Sequence, residues 1–166
     1  LEDLSLLIDR NHNFWRHTPT IIPLRSRALS DRYGMRKDPF SRKKAFHGGL
    51  DFKAKRGSPV YAPSDGIVRT ASRKRGFGLL VELRHGRGFF PGKKKTVRYR
   101  TRFAHLSKIN VRRGQKIKRG DLIGLVGSTG RSTGPHLHYE IIINGRRTNP
   151  LITISKFNPD QRLYLR

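Results

Sequence analysis

Thr96-Val97-Arg98-Tyr99-Arg100-Thr101-Arg102-Phe103 alternates without a break between two kinds of side chain. Successive residues of an extended chain point to opposite sides, so Val97, Tyr99, Thr101 and Phe103 share one face and the three arginines the other. That period of two predicts a half-buried strand. On the N-terminal side, Leu79 to Leu83 reads as a second strand, bounded by Gly78 and Gly86. Pro63-Ser64-Asp65-Gly66 is a turn before an Ile67–Ala71 strand, and Gly57-Ser58-Pro59 introduces Val60-Tyr61-Ala62. On the C-terminal side, Leu122 to Val126 and His136 to Ile143 supply two more strands. No helical periodicity of any length follows Gly34. Short strands separated by glycine and proline predict an all-β fold, with antiparallel sheets forming a sandwich or open barrel. Gly86, Gly88, Pro91 and Gly92, followed by Lys93-Lys94-Lys95, predict a basic hairpin tip in the 86–102 segment, which either borders a cleft or stands as a solvated charged loop.

Before Ser30 the pattern differs. Leu4, Leu6, Leu7 and Ile8 suit one or two helical turns, and Pro19 and Pro23 make Thr18–Leu24 extended. The chain therefore divides into an irregular or helical lead-in (1–29) packed on the main body, a main domain (30–155) and a C-terminal tail (156–166). At 166 residues it is long enough for one well-buried core. No apolar run nears the ~18 residues of a membrane-spanning helix. The sequence opens on Leu1 rather than Met, so it reads as a fragment or mature form, and the lack of a targeting segment says nothing about location. There is no cysteine, which removes disulfides, thiolate nucleophiles and sulfur-ligated zinc together. Thirty-seven Lys and Arg against eleven Asp and Glu give a net charge of +26, a field that attracts nucleic acid, anionic membranes or anionic wall polymers. Yet the basic residues are spread along the chain, and no recognition helix, zinc finger or aromatic RNA-binding motif accompanies them.

Seven histidines carry most of the chemical potential. His136-Leu137-His138 places two imidazoles on one face of a strand, and His47-Gly48-Gly49-Leu50-Asp51 brings a histidine and a carboxylate close in sequence. Imidazoles with a carboxylate from another segment suit a borderline ion such as zinc. Spacing alone is weak support, because chance supplies about 0.3 His-x-His pairs in a chain of this composition. His12, His17 and His85 have no such context; His85, between Arg84 and Gly86, reads as a surface or structural residue. Glu140 shares a strand face with His136 and His138 and is a candidate partner for a ligand. No His-Glu-x-x-His motif is present, and the glycines of 127–134 are not followed by the lysine of a phosphate-binding loop.

The context of these spacings is more specific. Ser128-Thr129-Gly130-Arg131-Ser132-Thr133-Gly134-Pro135-His136-Leu137-His138-Tyr139-Glu140 resembles the most recognisable stretch of lysostaphin-type (LytM-like) peptidoglycan endopeptidases. His47-Gly48-Gly49-Leu50-Asp51-Phe52 with Gly57–Ala62, Phe103-Ala104-His105-Leu106-Ser107, and Arg32–Phe40 match further motifs of that family, in order, from about Ser30 to Pro150. The resemblance implies a catalytic groove on a β fold. It implies one zinc ion held by His47, Asp51 and His138, and two non-ligand catalytic histidines, His105 and His136. Three protein ligands leave a fourth position for water, as in catalytic zinc sites. It further implies a peptidoglycan substrate in the bacterial envelope, periplasmic or extracellular; the high charge, for its part, fits anionic envelope polymers as additional partners, and whether another part of the protein anchors it to a membrane is left open by the sequence. A catalytically inactive wall-binding or hydrolase-activating protein on the same fold is the alternative; such relatives usually lack a zinc position, and all are kept here. The family often has Tyr at Phe103, so no phenol is expected from that position.

Overall fold

A computed structural model describes residues 4–157 and 164–165. In chain order, helix α1 (Leu4–Arg16) is followed by β1 (Ala28–Asp31), β2 (Gly34–Lys37), β3 (Lys44–His47), β4 (Leu50–Lys53) and β5 (Pro59–Tyr61). Then come β6 (Gly66–Lys74), β7 (Gly78–Phe89), β8 (Thr96–Ile109), β9 (Lys116–Ile117), β10 (Leu122–Val126), β11 (His136–Ile143) and β12 (Arg146–Thr148). Helix α2 (Pro150–Phe157) and β13 (Tyr164–Leu165) complete the order.

The alternating stretch at Thr96 opens β8, the backbone of the molecule. Val97, Tyr99, Thr101 and Phe103 are buried and Arg98 is exposed, as the period of two requires. Eleven strands form one mostly antiparallel sheet, in the order β13-β1-β4-β11-β8-β7-β6-β9, with β10 joining β5 and β8. Between Tyr99 and Ala104, β8 is held by β11 on one side; beyond Leu106 that side passes to β10. His105 stands at this seam. Its φ of 60° is a left-handed conformation that costs a non-glycine residue on the order of 1 kcal/mol, and such strain persists only where the surroundings enforce it. Leu50, Phe52, Val81, Leu83, Leu137 and Tyr139, all buried to within 1% exposure, fill the space behind this part of the sheet.

Three features differ from expectation. Helix α1 is thirteen residues long, not one or two turns. Its C-terminal end packs on the body, through Phe14 and Trp15 against Phe89, while Leu4, Leu6 and Ile8 stay exposed. Residues beyond it reach the core, with Ile22, Leu24, Ala28 and Leu29 buried. A helix also follows Gly34 after all. Asn149 caps α2 by accepting the Leu151 N–H, Pro150 sits at the first helical position, and Pro150, Thr153 and Ile154 face the core. Eight residues are too few to display a helical period. Finally, β7 does not end at Gly86. The strand continues to Phe89 with a register shift between Arg84 and Gly86, whose φ of 85° bends the strand rather than terminating it. The expected tail, 156–166, falls outside the described residues except for the end of α2 and β13, whose backbone pairs in parallel with β1.

Candidate active site

Register brings the site together. In the β4–β11 pair, Asp51 lies opposite His138 and Lys53 opposite His136. The β2–β3 pairing sets His47 opposite Gly34, at the point where the chain turns through Gly48-Gly49 into β4. Gly49 has no substitute there, since a Cβ would lie 2.3 Å from the Tyr139 carbonyl oxygen and 3.0 Å from the His138 ring.

Three donor atoms converge in consequence. Asp51 Oδ1 lies 3.1 Å from His47 Nε2 and 2.8 Å from His138 Nδ1, and the two nitrogens are 3.2 Å apart. Ligands of a tetrahedral zinc at about 2.0–2.1 Å stand roughly 3.3 Å from one another, so the triangle is close to the size the ion requires. The far nitrogen of each imidazole is already committed. His47 Nδ1 donates to the Arg32 carbonyl at 2.7 Å, and His138 Nε2 donates to Glu140 Oε1 at 3.0 Å. That leaves His47 Nε2 and His138 Nδ1 as the lone-pair nitrogens facing the cluster, the arrangement in which outer hydrogen bonds fix the tautomer of metal-ligating histidines. All three groups are buried. The donor set therefore fits zinc, and among the described residues it is the one group of His, Asp and Glu side chains close enough to hold an ion.

The electrostatics agree. Burial pushes the Asp51 carboxyl up, but in the metal-free site, where a proton shared with the facing imidazoles takes the ion's place, the contacts with His138 and His47 outweigh it and hold the group far below the ordinary carboxylate range. Burial pulls the His138 imidazole down, but Asp51 and Glu140 on either side raise it to about 9. Two carboxylates around one ring create a demand for positive charge, which a proton or a metal ion satisfies. Glu140 is 1% exposed and is itself gripped by Arg102, with Nη1 3.2 Å from Oε2. Arg102 in turn binds Glu82 through Nε at 2.5 Å.

His105 and His136 stand beside the cluster without joining it. Their rings are 4.8 Å apart and His136 Nε2 is 3.8 Å from Asp51 Oδ1, but neither ring joins the group of donor atoms that lie mutually close. Each gives its Nδ1–H to a carbonyl, His105 to Thr129 at 2.7 Å and His136 to Gly134 at 2.8 Å, which leaves both Nε2 atoms as proton acceptors. Burial lowers the His105 imidazole to about 4, with the charges of His136 and His138 adding to the effect, so it is neutral at pH 7. Gly78 maintains the geometry of this corner. Its φ is 68°, and a Cβ would strike the Thr129 backbone at 2.4 Å.

A groove of about 640 Å³ runs over these groups, rimmed by Phe40, Phe46, Phe77, Arg131 and Arg147. Arg131 clips one wall to the other by pairing with Asp38 at 2.8 Å and lying over the Phe40 ring. Of the two readings of the basic 86–102 segment, bordering this groove is not the one the structure bears out, since none of its residues lines the groove; the β6–β7 turn does, through Gly76 and Phe77. The lead-in does not cover the cluster either. His17 lies near the Asp65 carbonyl, and His12 is exposed on α1. His85 is buried and structural, donating from Nδ1 to the Asp65 carbonyl at 2.8 Å and accepting from Thr101 at Nε2 at 2.7 Å. Phe103 is wholly buried in the core. The carbonyls of Arg32, Thr129 and Gly134, which orient three of the four histidines, have no sequence signature, because any residue supplies a carbonyl.

The peptidase family M23 model matches residues 45–150. The peptidoglycan DD-endopeptidase ShyA of Vibrio cholerae is 44% identical over 116 residues, 70% of this chain and 25% of that protein. The chain thus spans about a quarter of the length of that curated relative. Among solved structures, the catalytic domain of the antimicrobial peptidase lysostaphin from Staphylococcus simulans aligns with 32% identity and a TM-score of 0.61, over 74% of this chain and 88% of that one. A zinc-containing peptidase from Vibrio cholerae aligns with 33% identity and a TM-score of 0.58, over 76% of this chain and 39% of that one. With a match over most of its length and the donor cluster in place, the chain belongs to peptidase family M23.

Proposed function

We propose that residues 30–155 form a zinc endopeptidase domain that hydrolyses peptide cross-links or stem peptides of bacterial peptidoglycan. His47, Asp51 and His138 hold the ion, and His105 and His136 move the protons. The observation that carries this reading is the donor triangle, with both histidine tautomers fixed by outer partners. The likeness to ShyA and to lysostaphin supports the substrate class and a place in the periplasm or outside the cell.

Zinc in this site supplies Lewis acidity, which lowers the pKa of water from ~15.7 to about 7 and polarises a scissile carbonyl. The chain's own groups do the rest. His105, which is neutral, and His136 both turn Nε2 toward the site, where they accept the proton of the attacking water, stabilise developing charge on the carbonyl oxygen and return a proton to the departing amine. Their carbonyl partners keep each ring in one tautomer, so no proton is lost to the wrong nitrogen. The partly apolar groove walls, Phe40, Phe46 and Phe77, exclude bulk water, and Arg131 and Arg147 offer guanidinium forks to peptide carboxylates.

The test is incubation of purified peptidoglycan with the zinc-loaded chain, followed by mass spectrometry of the released fragments. New amine termini at a peptide bond, abolished by chelator and restored by zinc, are expected. Intact walls after prolonged incubation with fully zinc-loaded protein would refute the proposal.

A further inference from the structure

Away from the metal cluster, a larger cavity of about 1270 Å³ opens on the β6–β9 end of the sheet, sharing no lining residue with the active-site groove. Its walls carry eight Lys and Arg side chains against one carboxylate, Asp65. Asp65 is taken by Arg16, and Arg69 and Arg100 are bound to Glu82. Arg84, Arg87, Arg98, Lys116 and Lys118 have no carboxylate partner among the described residues, and all five are exposed.

Their arrangement works against the fold. In the β7–β8 register, Arg84 stands directly opposite Arg100 and Arg87 directly opposite Arg98. Like charges at directly opposed positions of an antiparallel pair destabilise it. Glu82 offsets Arg100 in the first pair, but Arg87 and Arg98 face each other with no carboxylate beside them among the described residues, and together with Arg84 in a concave wall they suit an anionic ligand that neutralises them. The concavity favours a chain lying in the groove over a flat bilayer surface. Guanidinium forks favour phosphate, which they bind bidentately. Nucleic acid fits less well, because single strands are held largely by base stacking on exposed aromatics. The only aromatic ring in this wall besides the buried His85 and the neighbouring His17 is Tyr99, which is 0% exposed.

We infer that this groove is a second binding site, for a flexible phosphate-bearing polymer without nucleobases. It lies on the same sheet face as the active site. Arg98 and Arg100 precede, at two-residue steps, the Arg102 that grips Glu140, and Ala104 pairs with His138. The six residue steps of strand from Arg98 to Ala104 correspond to ~20 Å. A polymer carried by the wall and held here keeps the catalytic groove close to that wall while the peptide site turns over. The site is independent of the hydrolytic reading, because it is defined by binding alone.

The experiment measures binding of the full chain to poly(glycerol phosphate), to oligothymidylate of the same phosphate count and to phosphatidylglycerol vesicles, across a salt series. Five contacts at about −0.7 each give an expected slope of log K on log salt of about −3.5 for the polymer. The triple variant Arg84→Gln, Arg87→Gln, Arg98→Gln leaves two contacts and a slope of about −1.4. A control triple on exposed cations outside both grooves, Lys108→Gln, Arg112→Gln and Arg113→Gln, keeps the wild-type slope. Equal losses in the two triples overturn the inference, since binding then reflects net charge. Oligothymidylate bound more than tenfold tighter through the same arginines reassigns the groove to nucleic acid, and vesicle binding without polymer binding reassigns it to lipid; either result also overturns it. Folding of the groove variant is checked by an unchanged rate on a soluble peptide substrate or, should the chain prove inactive, by an undiminished melting temperature.

Discussion

Replacing Glu140 with Gln changes one oxygen to nitrogen in a site with no room for other adjustment. Glu140 is 1% exposed, with Oε1 3.0 Å from His138 Nε2 and Oε2 3.2 Å from Arg102. The amide keeps an acceptor for the His138 N–H, so the ring orientation survives while the negative charge behind it is lost. The amide nitrogen then faces Arg102 Nη1, donor against donor, so that contact is lost and Arg102 keeps its bond from Nε to Glu82. Loss of an outer-shell partner costs a metal site about 10–100-fold in affinity. Retention of the hydrogen bond places this variant in the lower part of that range, about 10–30-fold, or roughly 1.4–2 kcal/mol. Competition between the metal-free protein and a chelator of known zinc affinity reads this directly, with thermal melting as the check on folding. A variant that melts like wild type and binds zinc within twofold of it would show that Glu140 merely packs, and that His138 does not face the ion through Nδ1.

His105→Ala and His136→Ala are each expected to retain zinc and to lose about 10²–10⁴-fold in turnover, the usual contribution of a positioned acid–base group; metal analysis alongside a peptide-release assay checks both. Gly78→Ala should lower turnover at least about tenfold with zinc affinity unchanged, because the new methyl displaces the Thr129 carbonyl that orients His105. His85, driven to about 4 by burial, binds its proton more weakly in the folded than in the unfolded chain, whose value is about 6.5. The unfolded state therefore takes up more protons in that window. The stability contribution is complete above about pH 6.5 and is lost as pH falls toward 4, roughly 3 kcal/mol in all. Denaturant melts of wild type and His85→Gln between pH 7 and 4.5 should show a flatter dependence in the variant.

How far the sequence reveals this molecule depends on whether a feature is local. The β10 strand spans its apolar run Leu122–Val126, β11 ends with its own at Ile143, and β8 follows its alternation because one face is buried and the other carries arginine. By contrast, α2 is two turns long and hides its period, and β7 passes through glycines that ordinarily mark a turn. The His-x-His spacing places His136 and His138 on one face, but only register decides which of them meets a carboxylate. Asp51 pairs across from His138 and Lys53 from His136, so one imidazole reaches the donor cluster and the other stands beside it. Motif resemblance supplied that distinction; periodicity alone left it open. The Glu82–Arg102–Glu140 chain was equally hidden, because its members come from three strands and meet only through the β7–β8–β11 pairing. An excess of arginine over lysine in the 98–102 segment was the sole hint of it.

Zinc content and peptide release, determined together on the wild type, Asp51→Ala and His138→Ala, bear most directly on the site. One zinc per chain with peptide release in the wild type, and neither in the two variants, is the expected outcome. Full zinc occupancy and undiminished release in both variants would contradict the assignment of the donor triangle as the metal centre.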